Sequence, residues 1–351
     1  MMRLACLALV VTPFPALAEP QIPAVDEAVA HVIGSETPGL AVLVTREGAV
    51  IHAAGYGLAD LDSETPVAPR SLFDLASVSK QMTAMAAHLQ MLDGLYAPET
   101  TIGEILPAFA GDLSADRPIT VGDLIHHLSG LTDYLNGYED YGAETPNAEV
   151  IDWLASADRD EDPGMTFAYS NSGYLTLGTL VATADAQSSL ADVLQARLWG
   201  PLGMENTTLA SPATPADAVT GYAGTDGDFT PAHDPNISEG DGNVFSSIAD
   251  LALYEAWLTE NGMLPDFRPV FRNGSTDDGT PIDYGDGAGY GYGWSLAETD
   301  GSDYAYHSGS WTGTSTYYQR NLTTGVSVIL LANGEDIDLD TLALDVETAV
   351  D

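Results

Sequence analysis

The sequence predicts an α/β fold of the α+β type: an antiparallel five-stranded sheet flanked by helices, with a mostly helical lobe inserted into it. Three observations carry this. A β-hairpin pattern stands near the start of the chain, a helical block fills its middle, and three strand patterns close it. If the last three strands join the first two, both chain ends build one sheet and the block between them is an insertion. The expected bounds are 19–95 and 285–351 for the sheet lobe and 96–284 for the insert. The cleft between the lobes is then the natural site.

The elements follow in order. Residues 1–18 (MMRLACLALVVTPFPALA) read as an export signal, with Arg3 as the positive start, a short apolar run at 4–11 and Ala16-Leu17-Ala18 as a small-residue cleavage site. A spanning helix needs roughly 20 apolar residues, and Pro13 and Pro15 cut this run short. Cleavage after Ala18 places the mature chain in the periplasm or outside the cell, with no membrane attachment. Cys6, the only cysteine, leaves with the leader, so no disulfide is expected.

Residues 24–34 have helical spacing. The apolar run 40–44, the Glu47-Gly48 turn and residues 49–56 read as a hairpin. Residues 77–92 read as a long helix, because Val78, Met82, Met85, Leu89 and Leu92 fall near one face, and Gly94 stops it. Helical patterns follow at 101–109, 120–128, 147–155, 171–184, 189–198 and 247–258. Residues 265–290, rich in Asp, Gly and Pro, read as surface loop. Strands are expected at 304–308, 313–320 and 326–332, with a turn at 322–325 and a closing helix at 337–350. No internal repeat or low-complexity tract interrupts this order.

The chain carries 52 Asp and Glu against 10 Lys and Arg, a formal charge of −42. Nucleic-acid binding is disfavoured, because phosphates are held by clustered Lys and Arg. Anionic membrane surfaces are disfavoured for the same reason. Disorder is unexpected, since 45% of residues are hydrophobic. Like-charge repulsion opposes compaction unless salt screens it, so the surface suggests adaptation to saline surroundings. Thermal unfolding should therefore move to higher temperature between low and molar NaCl. An unchanged melting temperature would remove the salt-adaptation reading.

Lys80 is the only lysine. A mechanism needing two lysines is excluded, and so is a phosphate-binding P-loop, since no Gly-rich stretch precedes Lys80. Ser77-Val78-Ser79-Lys80 is an S-x-x-K tetrad at the start of a helix. Positions i and i+3 share a helix face, so the Ser77 hydroxyl and the Lys80 amine can meet. Burial at the positive end of a helix favours a neutral amine, which can accept a serine proton. Tyr169-Ser170-Asn171 precedes an apolar helix, and on an extended segment its Tyr and Asn point the same way; alternatively, Asn171 is a helix N-cap beside a packed tyrosine. His307-Ser308-Gly309 sits on a predicted strand, where glycine lets a substrate backbone lie along the edge.

Together, in this order, these motifs resemble the serine β-lactamase and penicillin-binding-protein superfamily, specifically its class C and D-alanyl-D-alanine carboxypeptidase branch. Leu75-Ala76-Ser77-Val78-Ser79-Lys80 is similar to its nucleophile helix, and His127-Leu128-Ser129-Gly130-Leu131 to its HxSGL segment. Pro201-Leu202-Gly203-Met204 is similar to its PLGM loop, and Tyr292-Gly293-Trp294 falls at a familiar place. The likeness runs from about Pro38 to Asn333. It implies a β-lactamase/transpeptidase-like fold and a Ser77 acyl-enzyme. Lys80 and Tyr169 would share the proton, and Asn171 would orient Lys80 and bind the substrate amide. Backbone N–H groups of Ser77 and Ser310 would form the oxyanion hole, and His307, Ser308, Gly309 and Trp311 would line the substrate.

One departure matters. Class C β-lactamases carry lysine first in the third motif, where this chain has His307. A substrate carboxylate is then held less firmly unless His307 is protonated. The expected activity is an exported serine hydrolase acting on an amide or ester, carboxypeptidase-like or esterase-like. A class C-like β-lactamase or a D-aminopeptidase is the alternative, and a non-catalytic penicillin-binding sensor is the rival of another class. The expected partner is a small-molecule or peptide substrate. No cofactor or metal is implied: His126-His127 lacks a third ligand at matching spacing and reads as structural, and His31, His52, His88 and His233 are scattered. Whether Arg268, Arg272 or Arg320 reaches the site is left to the tertiary structure.

Overall fold

Strand pairing brings the two ends of the chain together. A computed structural model describes residues 21–111, 117–185, 189–210, 214–225, 227–234, 237–285, 287–335 and 337–351. The expected leader at 1–18 lies outside these residues. Helix α1 (Pro23–Ala30) leads into strands β1 (Leu40–Arg46) and β2 (Ala49–Tyr56). The chain returns to the sheet through β3 (Gly289–Tyr290), β4 (Ser295–Thr299), β5 (Ser302–Trp311), β6 (Thr314–Asn321) and β7 (Val326–Ala332). Spatial order is β3-β4-β5-β6-β7-β1-β2, and β1 pairs antiparallel to β7 with Leu40 opposite Ala332 and Val44 opposite Val328. All five expected strands are present. Two short strands extend the sheet to seven: β3 lies at the end of the stretch expected to be loop and β4 just beyond it, where no strand was expected, and pairing of β4 with β5 and of β3 with β4 holds them there.

Both faces of the central strands are covered, which explains why 40–44 and 326–332 read as continuous apolar runs rather than alternating ones. Leu40, Val42 and Val44 pack with Val25 and Val29 of α1 and with Leu342 and Val346 of the closing helix (Leu339–Val350). Ala41 and Leu43 face the other way, into the main core with Met82, Met85, Leu251 and Leu258. The second layer is therefore α2 (Lys80–Leu92), α3 (Asn171–Ala184) and α4 (Ile248–Asn261). Among the described residues no helix is long and apolar enough to cross a membrane.

Several helical patterns are shorter than their spacing predicts. Residues 101–109 hold two 3₁₀ turns, Ile102–Glu104 and Pro107–Phe109, because Pro107 removes a donor that a continuous helix needs. The 120–128 pattern ends at Ile125, and His127 takes a left-handed φ of 56°. The 77–92 helix begins as a 3₁₀ turn, Ala76–Ser79, before α2. Strand β5 runs through His307-Ser308-Gly309 to Trp311, so this triplet is mid-strand.

Candidate active site

The nucleophile turn is strained by its own neighbours. Ala76, directly before Ser77, has φ 45°, a region that costs a non-glycine residue on the order of 1 kcal/mol. Its N–H donates to Asp74 Oδ1 at 2.8 Å, which holds the turn closed. Beneath the turn runs β5. A side chain on Gly309 would collide with the Leu75 carbonyl and with Thr316 Oγ1, and only glycine lets strand and turn approach this closely. The bare face of Gly309 thus meets the nucleophile turn. The Thr316 hydroxyl donates to the Leu75 carbonyl at 2.9 Å, fastening the same contact.

Lys80 opens α2 and is fully buried. Its Nζ lies 3.1 Å from Ser77 Oγ, 2.9 Å from Asn171 Oδ1 and 2.7 Å from the Asp241 carbonyl. These three acceptors match the three hydrogens of an ammonium, and they aim the amine at the serine hydroxyl. Asn171 is the first residue of α3, and the N-cap is Ser170, whose hydroxyl accepts from Gly173 N–H. Neither sequence expectation for this segment holds as drawn: Asn171 is not the cap, and the extended backbone stops one residue before it. Its carboxamide oxygen is spent on Lys80, which turns its NH₂ toward the cleft that Asn171 lines.

Tyr169 is brought beside Lys80, with Nζ 5.1 Å from the ring centroid. Its hydroxyl makes no hydrogen bond among the described residues. The ring lies on His127 at a centroid separation of 4.4 Å and meets Tyr290 edge-on. His127 is fully buried, and its Nδ1 accepts the Ser170 N–H at 3.0 Å. Burial and the nearby Lys80 charge hold His127 far below the ordinary histidine range. It is a neutral platform under the tyrosine. His126 bonds the Gly122 carbonyl instead and points elsewhere.

His307 is also neutral. Burial first, and the Lys80 charge second, lower its pKa to about 4. Its Nδ1 is 2.6 Å from the Ser308 carbonyl, which can only accept, so Nδ1 carries the proton. Nε2 is then the acceptor for the Tyr290 hydroxyl at 3.0 Å. Both ring nitrogens are committed, and the protonated form on which carboxylate binding depended is absent at neutral pH. Ser308 alternates to the exposed face of β5.

The cleft above Ser77 measures about 230 Å³ and is lined by Asp74, Ser77, Leu135, Asn171, Ser310 and Trp311, with the backbone around Asp241, Gly242 and Asn243. Trp311 is pinned by its indole N–H to the Asp234 carbonyl at 2.9 Å. The Asp241 carboxylate is spent on the Tyr134 and Ser238 hydroxyls. Asp74 differs. One oxygen accepts from Ala76, the other has no partner among the described residues, and burial pushes the carboxyl up to about 6. None of Arg268, Arg272 and Arg320 lines the cleft.

Sequence reasoning missed Asp74, the Asp241 carbonyl, Tyr290 and the platform role of His127. Asp74 stands three residues before the nucleophile, but an aspartate there reads equally as turn former. A backbone carbonyl donated by a loop 161 residues away leaves no signal in residue type.

The family model described as Beta-lactamase matches residues 25–348. The chain is 29% identical over 309 residues to a D-aminopeptidase of Cereibacter sphaeroides, covering 85% of this chain and 57% of that protein. It is 30% identical over 285 residues to a D-aminopeptidase of Brucella anthropi, covering 79% and 52%. The chain thus spans a little over half the length of these curated relatives. Among solved structures, a class C beta-lactamase superposes with TM-score 0.76 at 20% identity, covering 94% of this chain and 96% of that one.

Proposed function

The chain belongs to the serine β-lactamase and penicillin-binding-protein superfamily, through its match to the Beta-lactamase family, and from that premise we propose that it hydrolyses a small amide or ester through a Ser77 acyl-enzyme. The observation that carries this is Lys80 Nζ held between Ser77 Oγ, Asn171 Oδ1 and the Asp241 carbonyl. Ser77 Oγ attacks the substrate carbonyl carbon. Its proton passes to the Lys80–Tyr169 pair and on to the leaving amine or alcohol as the scissile bond breaks. Water then attacks the acyl carbon, its proton returns to Ser77 Oγ, and a carboxylic acid leaves. Backbone N–H groups of Ser77 and Ser310, both on the cleft wall, stabilise the oxyanion, a contribution of about 3 kcal/mol. The apolar run and small-residue site read in residues 1–18 would make it an exported hydrolase.

The polar lining favours an aminopeptidase-like or amidase-like donor over a β-lactam. A β-lactam presents a carboxylate. Here the third-motif histidine is neutral and no arginine lines the cleft. Asp74 instead offers an uncommitted carboxylate oxygen, suited to a protonated amine on the acyl group. The D-aminopeptidase names of the relatives point the same way.

The test is hydrolysis of D- and L-alanine p-nitroanilide beside their N-acetyl forms, in wild type and Asp74→Asn. The asparagine keeps the Ala76 hydrogen bond. It should lower kcat/KM for the free amines about tenfold while leaving the acetylated donors within twofold. An equal fall for both would reduce Asp74 to a turn former. Stability gives a second readout. The folded carboxyl titrates near 6 against an ordinary 3.8, so its ionised form is penalised by folding. That penalty is absent below about pH 4 and complete above about pH 6. Asp74→Asn should therefore match wild type in thermal stability at pH 4 and exceed it at pH 7.

A further inference from the structure

A second cavity, of about 360 Å³, lies away from the cleft and shares no lining residue with it. It opens between the end of α4, the 3₁₀ turn Pro265–Phe271 and the β6–β7 connection. Leu258, Met263, Phe271 and Leu322 make its walls apolar. Met263 and Leu264, 80% and 48% exposed, stand at the mouth and on the adjoining turn. The volume falls within the usual range for small-molecule sites.

Two cations converge on this apolar space. Arg320 is 7% exposed. Its Nε bonds Glu255 at 3.0 Å, its Nη2 donates to Thr259 Oγ1 at 3.1 Å, and the guanidinium lies 5.0 Å above the Phe271 ring. These contacts fix the side chain and leave Nη1 with no partner among the described residues, on the cavity wall. Arg268 lines the same cavity and forms no ion pair or hydrogen bond among the described residues. Among the described residues Asp303 brings the one carboxylate of the lining, and Asn321 and Ser327 are committed to Glu347 and Glu255.

We propose that this cavity binds a small single-headed amphipathic carboxylate, with its head between Arg268 and Arg320 Nη1 and its aliphatic chain along Leu258, Met263, Phe271 and Leu322. The overall negative charge does not forbid this. Charges beyond roughly 10 Å are screened at 0.1 M salt, whereas two guanidinium donors act at contact distance in a partly desolvated site. An uncharged molecule would leave Arg268 without a counter-charge and Arg320 Nη1 without an acceptor. A phosphate or sulfate without a chain would leave the apolar walls wet.

Calorimetric titration with octanoate in 0.5 M NaCl tests this, with octan-1-ol as the uncharged control. Octanoate should bind one per chain and octan-1-ol about tenfold more weakly or not at all. Arg268→Gln, an exposed substitution, should weaken octanoate about tenfold and leave hydrolysis of a neutral ester unchanged. Ser77→Ala should bind octanoate like wild type. No saturable binding, or equal affinity in Arg268→Gln, overturns the proposal. So does competitive inhibition of hydrolysis that persists in Arg268→Gln, because octanoate would then occupy the cleft.

Discussion

Ser77→Ala should lower turnover of any amide or ester substrate by at least about 10⁴-fold, because removing a nucleophile leaves only binding and oxyanion stabilisation. The same variant should show no mass increase with a penicillin or an activated ester, where wild type gains an acyl group that maps to Ser77. The fold should survive, since the Ser77 hydroxyl has one hydrogen bond, to Lys80 at 3.1 Å, and alanine fits the turn. A Ser77→Ala protein with full turnover would place the nucleophile elsewhere and remove the acyl-enzyme reading. Lys80→Met tests the other half of the pair. It should fall by about 10²–10⁴-fold, the usual scale for a proton-transfer partner. Its stability should also drop, because the Asn171 carboxamide and the Asp241 carbonyl lose their donor.

The largest expected loss of stability lies away from the chemistry. Glu255 is fully buried at the back of the sheet. It accepts from the Tyr318 hydroxyl at 2.6 Å, the Ser327 and Thr259 hydroxyls at 2.9 Å, and the Arg320 guanidinium at 3.0 Å. Glu255→Ala leaves Arg320 as a buried charge without its carboxylate, beside three hydroxyls without an acceptor. Such a break costs about 3–5 kcal/mol. Urea denaturation should register it as a lower midpoint at an unchanged slope. A loss under about 1 kcal/mol would mean that water reaches Arg320 through the adjoining cavity and solvates it. Replacing both partners by apolar residues should recover much of the loss, since the pair offsets its own desolvation more than it adds.

The sheet was readable from residues 40–56 and 304–332 because an apolar run bounded by turn residues has few other solutions. The register was fixed by packing, since a slip of one residue in β1 would exchange Ala41 and Leu43 with Leu40, Val42 and Val44 between two different cores. Helix lengths in the middle were read too long at 101–109 and 120–128, where proline and a left-handed His127 end them early. The short strands at 289–290 and 295–299 were invisible, because their signal is pairing, of the second with β5 and of the first with the second, and not composition.

The sequence by itself determined the candidate nucleophile and its lysine, and the family resemblance added the Asn171 that lies against that lysine. Ser77 and Lys80 are set three apart by helix geometry, and a chain with a single lysine has only one amine to offer. It also determined that His307 stands where a cation was expected. Only the tertiary structure decided what that histidine does. Its protonation depends on burial and on the charge of Lys80 from a distant helix, and these make it neutral. Likewise, the need for glycine at 309 comes from the packing of β5 under the nucleophile turn, which residue type alone does not show. The charge of the cleft rests on which carboxylates are already spent on hydroxyls. That is a property of contacts between distant segments, and no window of sequence contains it.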